Sequence, residues 1–158
     1  MNPTFAKALF TLGALLGSSL PATAGDEARK PVVPLLPAYR QECAACHVAY
    51  APGLLPAASW RALMTRLPQH FGTDASLDPS TVAELSAWLV SNAATREGMR
   101  TPPPDDRITR AAWFAREHGE ITPSAWLRAA VRGPSNCIAC HARADQGIFD
   151  EHDVRIPR

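Results

Sequence analysis

From Ala57 onward apolar side chains recur at helical spacing, at Trp60, Leu63, Met64 and Leu67, with Pro56 tolerated at the start and Pro68 closing the run. This pattern predicts a helix with one apolar face. A second helix should begin with Asp78 as N-cap and Pro79 in the first turn, burying Val82, Leu85, Trp88 and Leu89. Further on, Thr109 is expected to cap a helix running through Trp113, Phe114 and His118. Residues 123–131 should form another, with Trp126 and Leu127 facing inward. Between the two pairs, residues 101–106 carry three consecutive prolines, which excludes a helix and suggests a stiff join between two halves, one ending near 100 and the other starting near 107. No run alternates with period two for long enough to suggest a strand. The expected class is therefore mostly α, a small helical domain with long loops over residues 39–158.

The two ends of the pattern read differently. Lys7, the apolar residues 8–20 and the small residues Ala22-Thr23-Ala24 fit an export signal cleaved after residue 24. The apolar run is shorter than the roughly 20 residues a spanning helix needs, and no later segment is long and apolar enough. The expected product is a soluble periplasmic protein with no integral membrane segment after cleavage. Residues 25–38, with Pro31, Pro34 and Pro37, read as an extended leader. Of the 16 Lys and Arg residues only Lys7 precedes the cleavage point, while all 15 acids follow it, so the mature chain is formally neutral. It offers no basic stripe for nucleic acid, and no nucleic-acid partner is expected.

Composition changes the picture most through its 4 cysteines. All belong to two Cys-x-x-Cys-His pentapeptides, Cys43-Ala44-Ala45-Cys46-His47 and Cys137-Ile138-Ala139-Cys140-His141. Two thiols at this spacing can add across the two vinyl groups at a haem edge, and the histidine that follows is placed to ligate the iron. Two rivals use the same cysteines. A Cys-x-x-Cys disulfide is a redox device rather than a structural staple and gives the adjoining histidines no role. A zinc site would join pairs much farther apart than in common zinc ribbons and would again leave both histidines coincidental. Two covalently bound haem c groups account for all six residues, and their attachment outside the cytoplasm agrees with the export signal.

Each iron then needs a sixth ligand or keeps an open position, a choice that separates electron carriers from catalytic or gas-sensing haem proteins. Beyond the proximal His47 and His141, the chain has His70, His118 and His152. His70 ends a predicted helix beside Phe71 and Gly72, and His118 follows two aromatics on another, so both are candidate distal ligands. His152 sits among Asp150, Glu151 and Asp153 and reads as solvated. Met64 falls on the apolar stripe and reads as core. Met99, ahead of the prolines, is the competing ligand, although two spare histidines match two haems in number. Spacing does not fix which distal histidine serves which haem; the reading adopted pairs His70 with the first and His118 with the second. Arg61, Arg66, Arg110, Arg116 and Arg128 are candidates to meet haem propionates or, equally, are solvated helix faces.

The first motif runs on as Ala51-Pro52-Gly53-Leu54-Leu55-Pro56, then Ser59-Trp60-Arg61-Ala62-Leu63-Met64, then His70-Phe71-Gly72. The second opens with Asn136 and is followed by Gln146-Gly147-Ile148-Phe149-Asp150-Glu151 and Val154-Arg155-Ile156-Pro157. On these motifs residues 39–157 resemble the bacterial dihaem cytochrome c (DHC) family. The resemblance implies bis-histidine, low-spin haems ligated by His47, His70, His118 and His141. It also implies an electron carrier rather than an enzyme, with redox partners such as a small oxygen-binding monohaem cytochrome and a membrane cytochrome b. The alternative function is a dihaem enzyme of peroxidase-like kind, or a gas or redox sensor, with one open or exchangeable iron.

Overall fold

The computed structural model describes residues 32–158. The export signal and the first part of the leader lie outside the described residues. Residues 32–36 are without regular structure, but the leader ends two residues sooner than expected, because helix α1 spans Pro37–Cys43. Pro37 occupies the first turn, where a missing N–H costs nothing and the fixed φ already suits a helix. The proline taken as a sign of extended chain is thus a helix start. It delivers Cys43 at the end of α1 and buries Tyr39.

Helix α2 covers Ala57–Thr65 and α3 covers Pro79–Ser91, the two packing on each other. Both follow the expected stripe. Trp60, Leu63 and Met64 are buried on α2, while Leu67 is buried in the 3-10 turn Leu67–Gln69 just beyond it. The buried Trp60 indole donates to the Pro52 carbonyl at 2.7 Å, which removes the cost of hiding its N–H. Asp78 caps α3 by accepting from the backbone N–H groups of Ser80 and Thr81, both at 3.0 Å, and the hydroxyls of the same two residues, donating to it as well, are the main reason its carboxyl is held well below the ordinary range. Leu85 and Leu89 are fully buried, with Val82 and Trp88 half-buried against the same core.

The join at 101–106 does not form an α-helix, yet Pro104–Asp106 makes a 3-10 turn that the proline argument had excluded. Proline forbids the interior of a helix rather than its first residue, and Asp105 turns the chain at φ 55°. Asp106 accepts from Arg66 at 2.5 Å, which ties the join to the end of α2.

The second half departs further from expectation. Thr109 lies inside the turn Ile108–Arg110 and caps nothing; helix α4 spans Ala112–Glu117 after Ala111, with no side-chain cap. Residues 123–131 yield a single helical turn, α5, over Pro123–Trp126. Leu127 points outward, 85% exposed, because the turn ends before it and successive helical side chains diverge by about 100°. From there the chain runs through irregular segments and one-turn 3-10 helices, including Cys137–Ala139. Among the described residues there is no strand, only two isolated bridges, His70 with Thr73 and His141 with Val154.

The buried core belongs mainly to the first half, with Tyr39, Ala49, Leu55, Trp60, Leu63, Met64, Leu67, Leu85 and Leu89 in one cluster. Replacing Leu85 by Ala in the holoprotein should cost about 2–5 kcal/mol of unfolding free energy, whereas Leu127→Ala should stay within about 0.5 kcal/mol of wild type; denaturant titration of both measures the contrast.

Candidate haem-binding sites

Each Cys-x-x-Cys-His segment begins with a local turn. In the first, Cys43 closes α1; in the second, Cys137–Ala139 is a 3-10 turn, and His141 N donates back to the Cys137 carbonyl at 2.8 Å. In the second motif Cys137, Cys140 and His141 all line one cavity. No disulfide joins any of the four cysteines. Burial pushes Cys137 and Cys140 upward in pKa and raises Cys43 to about 11, with Glu42 adding to the effect there. Among the described residues, no three His, Cys, Asp or Glu side chains converge as a protein-only metal centre would require.

Folding brings the four histidines together in two pairs. The rings of His47 and His70 have centroids 6.2 Å apart, and those of His118 and His141 are 6.1 Å apart. A metal-bound imidazole nitrogen sits about 2 Å from the metal and about 1.1 Å from its own ring centre, so two imidazoles on opposite sides of one iron have centroids about 6.2 Å apart. Both pairs thus fit one six-coordinate iron each. The ring planes meet at 27° in the first pair and 75° in the second.

Hydrogen bonds prepare two of these rings for ligation. His47 Nδ1 donates to the Val48 carbonyl at 2.7 Å and His118 Nδ1 to the Phe114 carbonyl at 3.0 Å. A carbonyl only accepts, so each Nδ1 carries the proton and Nε2 keeps its lone pair. Burial lowers the pKa of His70, with His47 and Arg107 contributing, and also that of His141, with His118 contributing. The neutral imidazole favoured in this way is the form that binds iron.

The second site is an open, largely apolar cavity. Trp113, Phe114, Trp126, Val131, Phe149 and Ile156 line it, with Cys137, Cys140, His118 and His141 on its wall. This lining suits a flat apolar macrocycle. His118 stacks on Phe114 at 4.0 Å, and His141 meets the edge of Phe149 at 5.3 Å. At the first site, His70 follows the 3-10 turn Leu67–Gln69, and Phe71, at φ 50°, sets its ring against that imidazole at 4.8 Å beneath the Arg107 guanidinium.

The remaining sequence candidates are placed elsewhere. His152 is exposed in the turn Glu151–Asp153, and Met64 is core. Met99 ends the turn Glu97–Met99, which packs against α4. Arg66, Arg110 and Arg116 bind Asp106, Asp105 and Glu117, and Arg128 donates to the Pro157 carbonyl at 2.6 Å. Sequence reasoning missed Tyr50, whose ring stacks on His47 at 4.8 Å, and Arg107 over Phe71 at 4.1 Å. An aromatic three residues after the ligating histidine was a signal for the first; no local signal marked Arg107.

Residues 39–149 match the family model for dihaem cytochrome c. A solved dihaem cytochrome type c from Shewanella baltica is 40% identical, with 79% of this chain and 95% of that one covered and a TM-score of 0.69. The DHC purified from Rhodobacter sphaeroides is 45% identical, with 75% and 100% covered and a TM-score of 0.64. No curated protein sequence matches.

Replacing both Cys137 and Cys140 by Ser should leave one covalently retained haem per chain instead of two. Haem quantitation after acid-acetone extraction measures the loss.

Proposed function

Because the chain belongs to the dihaem cytochrome c family, with two covalently attached haem c groups and a role in haem-based electron transfer, we propose that it is a periplasmic carrier whose irons are both bis-histidine. The first would be held between His47 and His70, the second between His141 and His118. The observation that carries this reading is the ring separation, 6.2 Å in one pair and 6.1 Å in the other.

When bound, each haem supplies a one-electron iron couple. The chain's own residues do the rest by holding geometry. Cys43, Cys46, Cys137 and Cys140 fix the macrocycles covalently. Val48 and Phe114 carbonyls orient two of the four imidazoles, and aromatic side chains around His118 would pack against the second haem. With His47 and His70 holding one iron and His118 and His141 the other, little would need to rearrange on reduction, which would favour rapid exchange over substrate binding. No side chain needs to move a proton.

Export rests on residues 1–24 of the sequence, and among the described residues no helix is long and apolar enough to cross a membrane. The partners that suit this reading are other redox proteins, a small oxygen-binding monohaem cytochrome and a membrane cytochrome b among them. Docking would be brief and of small area, as redox encounters usually are.

His70→Ala and His118→Ala test the proposal. The reduced wild type should form no carbon monoxide adduct, while each variant should gain one high-spin haem that binds the gas. Carbon monoxide binding to the wild type at one haem per chain would instead support an enzyme or sensor with an exchangeable iron.

A further inference from the structure

Tyr50 ligates nothing, yet it touches both haem-binding segments. Its ring lies nearly parallel to the His47 imidazole, at 24° and 4.8 Å between centres. Its hydroxyl donates to the Ser135 carbonyl at 2.8 Å, across 85 residues of sequence, and Ser135 stands two positions before Cys137. One side chain therefore spans from the proximal ligand of the first site to the attachment loop of the second.

Both ends of this bridge are anchored. The Tyr50 carbonyl accepts from Tyr39 Oη at 2.9 Å, and Tyr39 is 3% exposed and packed on Trp88 at 5.1 Å between ring centres. On the other side the chain reverses at Arg132 and Gly133, with φ values of 62° and 117°, and Asn136 Nδ2 closes the turn by donating to the Val131 carbonyl at 3.0 Å. Val131 is itself 1% exposed. Ile138, between Cys137 and Cys140, also lines one surface depression with His47 and Val48.

We infer that Tyr50 is a positioning residue for electron exchange between the two haems, its ring setting the plane of the His47 imidazole and its hydroxyl fixing the second haem's attachment loop against the first. The inference rests on the bis-histidine reading of both sites. Electron tunnelling falls exponentially with distance, so a small relaxation between the two segments slows exchange without disturbing either iron's ligands. The imidazole plane orients the iron orbital that accepts the electron, so the stacked ring acts on the first haem alone.

Tyr50→Phe removes the hydroxyl and keeps the ring; Tyr50→Leu removes both. Each holoprotein receives one electron by pulse radiolysis, its redistribution between haems is followed optically, and the magnetic coupling of the two ferric centres is read by EPR. Tyr50→Phe should keep two low-spin haems per chain with unshifted g-values, while exchange becomes severalfold slower and the coupling weaker. Tyr50→Leu should in addition shift the g-values of the first haem only. A fully loaded Tyr50→Phe protein with the wild-type exchange rate and coupling overturns the inference, and this variant decides alone if Tyr50→Leu does not load. Failure of the bis-histidine reading would show separately, as a high-spin haem in the wild type.

Discussion

Two imidazoles held a little over 6 Å apart, centre to centre, form the constraint on which the rest of this structure depends. The distance is the one expected of two imidazoles sharing a metal. Keeping it requires both rings of a pair to be carried by elements with fixed relative positions. At the first site, α1 ends in the cysteine motif and α2 runs into the turn that ends at His70, with α3 packed on α2 behind it. At the second, α4 presents His118, and the C-terminal tail steadies the motif through Arg155 N donating to the Cys140 carbonyl at 2.9 Å and the bridge between His141 and Val154.

The halves meet this constraint in different ways. The first has an aliphatic and aromatic core of its own, built on Trp60, Leu85 and Leu89. The second spends much of its apolar surface on the wall of the cavity, where Trp113, Trp126, Phe149 and Ile156 face a space rather than one another. A covalent haem bound there would fill that space as a core residue does.

This difference explains how much of the fold was legible in the sequence. The stripes of α2 and α3 are ordinary amphipathic patterns satisfied by protein, and they appear where hydrophobic spacing and the Asp78-Pro79 start place them. In the second half the apolar residues answer to a macrocycle, so periodicity overstated the helices: Thr109 caps nothing, α5 stops at Trp126, and Leu127 faces solvent. Prolines misled twice, at Pro37 and Pro104, because each begins a turn rather than ending one. The candidate site was more legible than the fold, since Cys-x-x-Cys-His is dictated by haem chemistry whatever the surrounding structure. The pairing of histidines came from the folded chain, which brings His70 to His47 and His118 to His141. Tyr50 was marked only by its place three residues after His47, which gives no hint of its reach to Ser135, and Arg107 acts through a tertiary contact that no local pattern encodes.

The central claim is that both irons are held between two histidines of this chain. Near-infrared magnetic circular dichroism of the oxidised holoprotein, calibrated on haem content, tests it most directly, because the charge-transfer band of a low-spin ferric haem reports its axial pair. Bis-imidazole intensity equivalent to two haems per chain is the predicted result. A band from histidine-methionine ligation, or a high-spin ferric component amounting to one haem, would contradict it.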